Sequence, residues 1–167
     1  MNPKDLLNLK FKNIDGEFLT FDRAKTILTS RANPMPVTVY INEDMRNIIA
    51  NFSHTQHNGD NYIFPILTPG LTSLPEYTAV TRFTRFMNDW TKKIGKKIGI
   101  ECNLTSIISR HSFSTSLKRS GVSTEFIQES LGHADKRTRE NYLDGFENAI
   151  KKEHAAKLLE FKKDTLL

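Results

Sequence analysis

The sequence predicts a mainly helical domain with a small three-stranded antiparallel β-sheet near its N-terminus. Three observations lead there. The first third of the chain, up to about residue 42, reads as strands, with short runs of β-branched and aromatic residues. From residue 42 onward, apolar residues recur three and four positions apart, which is the helical period. The chain has 167 residues, 38% of them hydrophobic, enough for one domain with its own core. It contains no internal repeat, no low-complexity tract and no second-domain boundary.

The elements follow in order. Pro3 to Leu7 reads as the end of a short helix. Leu9 to Ile14 alternates as a first strand, Asp15-Gly16 is a hairpin turn signal, and Phe18 to Phe21 returns as a second strand. Thr26 to Pro36 is loop-like. Val37 to Ile41 is β-branched and supplies the third strand. Asn42 is placed to cap a helix through Met45, Ile48, Ile49 and Phe52. Residues 53–75 form a polar linker whose apolar stretch, Tyr62 to Leu67, is expected to dip into the core. A long helix follows, with Val80, Phe83, Met87, Trp90, Ile94 and Ile98 expected to be its core-facing stripe. Thr105 or Ser106 starts a helix through Phe113 and Leu117 that stops at Gly121. Ser123 opens another, through Phe126, Ile127 and Leu131, closed by Gly132. Residues 135–144 read as a short polar helix. Phe146 to Phe161 is a final amphipathic helix carrying Ile150, Leu158 and Leu159.

Charge is distributed unevenly. The chain has 24 Lys and Arg against 19 Asp and Glu, a net charge of +5. Residues 1–73 carry seven of each sign, so the whole excess lies after residue 73. Between Arg82 and Lys97 stand six bases, Arg82, Arg85, Lys92, Lys93, Lys96 and Lys97, against the single acid Asp89. Such a cluster can neutralise phosphates and release their counterions, so these six are the candidate DNA-binding residues. A solvated helix face is the plainer reading of the same cluster.

Several classes of function are excluded or unsupported. No stretch approaches the roughly 18 apolar residues a membrane span needs. The opening residues Met1 to Asp5 have no apolar signal-peptide core. Cys102 is the lone cysteine, which rules out an internal disulfide framework and favours a reducing, cytoplasmic setting. It reads as a small core residue. No Gly-rich phosphate loop supports nucleotide hydrolysis. His54 and His57 are three apart but have no acidic or cysteine partner at ligand spacing, so no metal or other cofactor is expected.

The chemistry concentrates in three segments. Ser109-Arg110-His111-Ser112-Phe113-Ser114-Thr115 is followed by Leu131-Gly132-His133 and then by Asn141-Tyr142-Leu143. His133 lies 23 positions after Arg110, and Tyr142 nine after His133. These segments resemble the catalytic signature of tyrosine recombinases, the phage integrase family. There the pattern is Arg-His-x-Phe-x-Thr, then a helix pair ending in Leu-Gly-His, then a tyrosine nine residues on. Gly121, Ile127, Leu131, Gly132, His133 and Tyr142 fall into that register without a gap. Upstream, Asp5 to Lys10, Ile14-Asp15-Gly16 and Arg23-Ala24-Lys25-Thr26 resemble the opening of the family's catalytic domain and its hairpin lysine. Tyr62 to Pro65 is similar as well. The nearest likeness is to integrases of Bacteroides-type conjugative and mobilisable elements.

The resemblance implies a fold, a reaction and a set of roles. Residues 1–167 would form the recombinase catalytic domain, the family's N-terminal core-binding domain lying outside this chain. Tyr142 would be the nucleophile, conserving the broken phosphodiester as a 3′-phosphotyrosine. Arg110 and His133 would stabilise charge on the non-bridging oxygens. Lys25 would protonate the leaving 5′ oxygen. Duplex DNA at attachment sites is the implied partner, with a tetramer in the synaptic complex, no membrane and no small-molecule substrate, in a nucleoid-associated cytoplasmic location.

Two departures from the family pattern bear on activity. The family's first arginine aligns with Asn2, and a histidine common three residues before the second arginine is Ile107. Asn2 and His111 are therefore possible phosphate contacts. A catalytically impaired, recombinase-like DNA-binding module is the alternative reading. The final helix is compatible with packing either on its own chain or on a neighbouring protomer.

Overall fold

The computed structural model describes residues 1–25, 36–55, 57–100, 102, 104–132 and 148–160, without the side chains of Leu159 and Glu160. Helix α1 spans Pro3–Leu7, strand β1 Ile14–Asp15, β2 Phe18–Phe21 and β3 Val37–Tyr40. Five further helices follow: α2 Glu43–Phe52, α3 Ser73–Lys97, α4 Ser106–Arg119, α5 Thr124–Ser130 and α6 Asn148–Glu160. The described protein is thus mostly helical with one three-stranded antiparallel sheet, in the order β1-β2-β3. The expected helix over 135–144, together with Phe146 and Phe161, lies outside the described residues.

The first strand is shorter than its alternation predicts, because a side chain intervenes. Asn13 accepts the Lys10 N–H at 2.8 Å and donates to the Thr20 carbonyl at 2.9 Å. That closes a 3-10 turn over Phe11–Asn13 and leaves only Ile14 and Asp15 to pair with Leu19 and Phe18. The backbone of residues 9–12 bonds instead to the segment 59–63, through Phe11 to Asn61, Lys12 to Gly59 and Ile63 to Leu9. The hairpin loop is Gly16-Glu17, with Gly16 at φ +55°, the conformation glycine adopts most readily.

Two apolar clusters hold the fold. Leu9, Leu19, Phe21, Val37, Ile41 and Ile63 form the first, between the sheet, α1, α2 and the linker. Ile63 is fully buried, so the linker does enter the core. Each such side chain contributes about 1.5–3 kcal/mol relative to exposure. Asn42 caps α2 by accepting the Met45 N–H at 2.9 Å. Met45 and Ile49 of that helix reach the core, whereas Ile48 and Phe52 remain exposed.

Helix α3 is rotated relative to its apolar stripe. Val80, Phe83 and Met87 are half-buried, but Trp90, Ile94 and Ile98 are exposed, Trp90 by 49%. The packed side also carries Thr84, Asn88, Thr91 and Gly95. Thr84 and Thr91 donate their hydroxyls to the Val80 and Met87 carbonyls, so these polar groups are satisfied within the helix. Gly95 is buried, and a Cβ there would lie 2.7 Å from Leu104 Cδ1. Asn88 accepts the Ser106 N–H at 2.9 Å, a cap for α4 supplied from another helix because Thr105 provides none. Cys102 is exposed rather than part of the core.

The second cluster comprises Leu117, Val122, Phe126 and Ile127, joined by Ile150 and Leu158 of α6. The final helix therefore packs on its own chain, against α4 and β3. Lys151 pairs with Glu129 at 3.5 Å, and Lys152 pairs with Glu17 while lying over the Phe18 and Tyr40 rings. His154 meets Phe126 edge to face at 4.6 Å, and its enclosed Nδ1 has no hydrogen-bond partner among the described residues. Burial, reinforced by Lys157, lowers the His154 pKa from its ordinary 6.5, with Glu153 opposing. A depressed folded-state pKa means the unfolded chain binds the proton more tightly. The docked helix is then most stable above pH about 6.5 and loses stability as pH falls below it. Between pH 7.5 and 5.5 the melting temperature of the wild type is expected to drop more than that of His154→Phe. Equal drops would remove His154 as the cause.

Candidate active site

Helix α5 ends at a point where two arginines meet it. Its C-terminal carbonyls lack intrahelical partners, as at any helix end, and carry the negative end of the helix dipole. Gly132, at φ +62°, turns the chain out of the helix. Arg110, on the second turn of α4, donates Nη2 to the Leu131 carbonyl at 2.8 Å. Arg23, just after β2, donates Nη1 to the adjacent Gly132 carbonyl at 2.6 Å across 109 residues of sequence. Both arginines are half-buried, and the two carbonyls they bond immediately precede His133 in the chain.

A buried carboxylate organises the other side of the cluster. Asp5 is 3% exposed and accepts the Ala24 N–H at 2.9 Å, tying α1 to the segment that carries Arg23 and Lys25. Asn2 caps α1, its Oδ1 accepting the Asp5 N–H at 2.7 Å, with Pro3 as the first helical residue. Burial and the neighbouring Arg23 lower the Arg110 pKa from its ordinary value, with Asp5 opposing the shift. The guanidinium stays charged, but its environment is one in which an anion gains from binding.

The remaining candidates fall as follows. Lys25 is exposed, one residue beyond the Ala24 N–H that Asp5 holds. His111 is exposed beside Arg110, and Ile107 is 65% exposed one turn earlier on α4. Arg82, Arg85, Lys92, Lys93, Lys96 and Lys97 are all exposed on α3, which packs on both α1 and α4. Lys93 also lies over the Trp90 ring at 4.7 Å. His133 and Tyr142 lie outside the described residues. His57 stacks on Phe11, and the His54 N–H bonds the Ile63 carbonyl. Among the described residues no three His, Cys, Asp or Glu converge as a metal site would require.

A profile of the phage integrase family matches residues 1–148, which include Arg23, Arg110, His133 and Tyr142. The chain belongs to the phage integrase family. Over 51 residues it is 47% identical to tyrosine recombinase XerA of Pyrococcus horikoshii. That segment is 30% of this chain and spans 17% of the length of that protein. No solved structure matches the chain. No helix among the described residues is long and apolar enough to cross a membrane.

Two members of the cluster were not singled out from the motifs of this integrase-family sequence, Arg23 and Asp5. Their signals were present as Arg23-Ala24-Lys25-Thr26 and Asp5-Leu6-Leu7, but neither spacing reveals that both segments approach α4. Gly132 is the third participant. A Cβ on it would lie 2.2 Å from Arg23 Cδ and 2.8 Å from Val37 Cγ2. Gly132→Ala is expected to cost about 2 kcal/mol or more, from left-handed backbone strain plus that overlap, and to displace Arg23. Chemical denaturation checks the stability loss; an unchanged midpoint would mean the Arg23 contact is dispensable to the fold.

Proposed function

We propose that this chain is the catalytic part of a DNA strand-exchange recombinase that cuts and rejoins duplex DNA through a covalent 3′-phosphotyrosine. The observation that carries this reading is the Arg110 bond to the Leu131 carbonyl, two residues before His133. It ties together the arginine and histidine segments of the motif, 23 positions apart in sequence, inside a family match that also covers Tyr142.

The reaction uses groups this chain supplies. The Tyr142 oxygen attacks phosphorus and passes its proton to solvent water as the new O–P bond forms. The bond from phosphorus to the 5′ oxygen breaks, and Lys25 gives that oxygen a proton. Arg110 and His133 hold the charge that builds on the non-bridging oxygens. Attack by a 5′ hydroxyl from a partner duplex reverses the step without external energy, because the phosphotyrosine conserves the diester. The exposed bases of α3 serve as the phosphate-binding face that positions the duplex. Pairing of four protomers on DNA, and an origin in a Bacteroides-type mobile element, belong to this proposal and are supported by the sequence motifs alone.

The decisive experiment is a covalent-capture assay with the full-length protein. The probe is a pool of nicked duplexes tiled across the genomic DNA flanking the protein's own gene, so that a cut strand diffuses away and traps the adduct. A protein–DNA adduct resistant to denaturant supports the proposal. DNA binding without any adduct favours the second reading, a recombinase-like binding module. Asn2 is the observation on that side, since its oxygen is committed to capping α1 and it brings no charge to the phosphate.

A further inference from the structure

We propose that Arg23 is the second phosphate-binding guanidinium of this site, supplying with Arg110 the charge that Asn2 lacks. The inference rests on the strand-exchange reading above and names a residue to which that reading gives no role.

Four observations converge on it. Arg23 and Arg110 bond consecutive carbonyls, those of Gly132 and Leu131, so their guanidiniums are brought to one place by two unrelated segments. Like charges so placed repel, and an anion shared between them relieves the repulsion; two guanidinium forks suit the oxygens of a phosphate. Second, the Nε of Arg23 is enclosed and has no hydrogen-bond acceptor among the described residues. An enclosed donor without a partner costs free energy that a ligand oxygen recovers. Third, Gly132 leaves no room for a side chain against the Arg23 stem, so the close approach depends on that glycine. Fourth, Asp5 holds the Ala24 N–H, which fixes the backbone between Arg23 and Lys25. A phosphate bound by Arg23 is thereby registered against the proposed general acid two residues on.

A purely structural role, in which Arg23 only caps α5, predicts a different response, and a neutral substrate separates the two. Replacing one non-bridging oxygen of the scissile phosphate by a methyl group removes the charge a guanidinium stabilises. The assay uses the full-length protein and the trapped duplex identified by covalent capture, in its phosphate and methylphosphonate forms. Arg23→Gln is expected to slow adduct formation on the phosphate by about a hundredfold or more, the size typical of losing one charge-stabilising donor. On the methylphosphonate it is expected to stay within about tenfold of the wild type. Arg23→Lys, which keeps charge but not the fork, should fall between, and it carries the same comparison if Arg23→Gln does not fold. An equal loss on both substrates, or cleavage within about threefold of the wild type on the phosphate, overturns the assignment. Failure of the wild type to form any adduct overturns the strand-exchange reading itself, and with it this one.

Discussion

Tyr142→Phe in the full-length protein is expected to abolish covalent protein–DNA adducts while leaving duplex binding nearly intact. The substitution removes one oxygen, the atom that the proposed reaction uses as its nucleophile and through which it would conserve the phosphodiester. No neighbouring group can take over, because the intermediate is a bond to that atom. The expected fall in adduct yield is more than about a thousandfold, among the largest effects a single atom has on an enzyme. Binding is expected to persist because the proposal rests it on distributed phosphate contacts, the exposed bases of α3 among them. Adducts trapped on the nicked duplex by Tyr142→Phe would show that another side chain is the nucleophile. Loss of binding in parallel with loss of adduct would mean that the substitution disturbs the fold instead.

Arg110→Ala is the second large effect, and it acts in two places. In the proposed reaction it removes a guanidinium assigned to the developing phosphate charge, an expected loss of about a hundred- to a thousandfold in cleavage rate. In the fold it removes the donor that satisfies the Leu131 carbonyl at the end of α5. Leaving that acceptor unpaired costs about 1–3 kcal/mol. It also removes the positive charge that lies near both Arg23 and Asp5. The variant should therefore melt lower and cleave far more slowly, while its affinity for duplex falls little. Arg110→Lys keeps the charge and not the bidentate geometry, so it should recover part of the rate and little of the helix cap. Wild-type cleavage by Arg110→Ala would take this residue out of the phosphate site.

Local rules accounted for the elements whose interactions are local. The hairpin at Gly16 follows from its neighbours, as do the Asn42 and Ser123 caps and the glycine stops at Gly121 and Gly132. A helix cap or a left-handed residue acts within four positions, so its signal survives in sequence. Leu9 to Ile14 misled for a related reason. Its alternation is compatible with a strand, but Asn13 offered the backbone a competing local bond, and the segment 59–63 offered a distant partner. Helix α3 shows the limit of periodicity. Its apolar stripe is correctly helical in spacing, yet beyond Met87 it turns to solvent, and Thr84, Asn88, Thr91 and Gly95 share the packed side with Val80, Phe83 and Met87. Small residues that satisfy their own polar groups pack closely, and no apolar count registers them.

By itself the sequence determined the fold class, the family and the register linking Arg110, His133 and Tyr142. These depend on residue type and spacing along the chain, which sequence records directly. The tertiary structure alone decided which charges share a site. Asp5, Arg23 and Arg110 come from α1, the end of β2 and α4, and no spacing rule connects them. They meet because the end of α5 offers two unpaired carbonyls, Gly132 leaves room for a guanidinium stem, and a buried carboxylate holds the adjoining backbone. Electrostatic interactions depend on distance through space and on exclusion of water, and folding sets both.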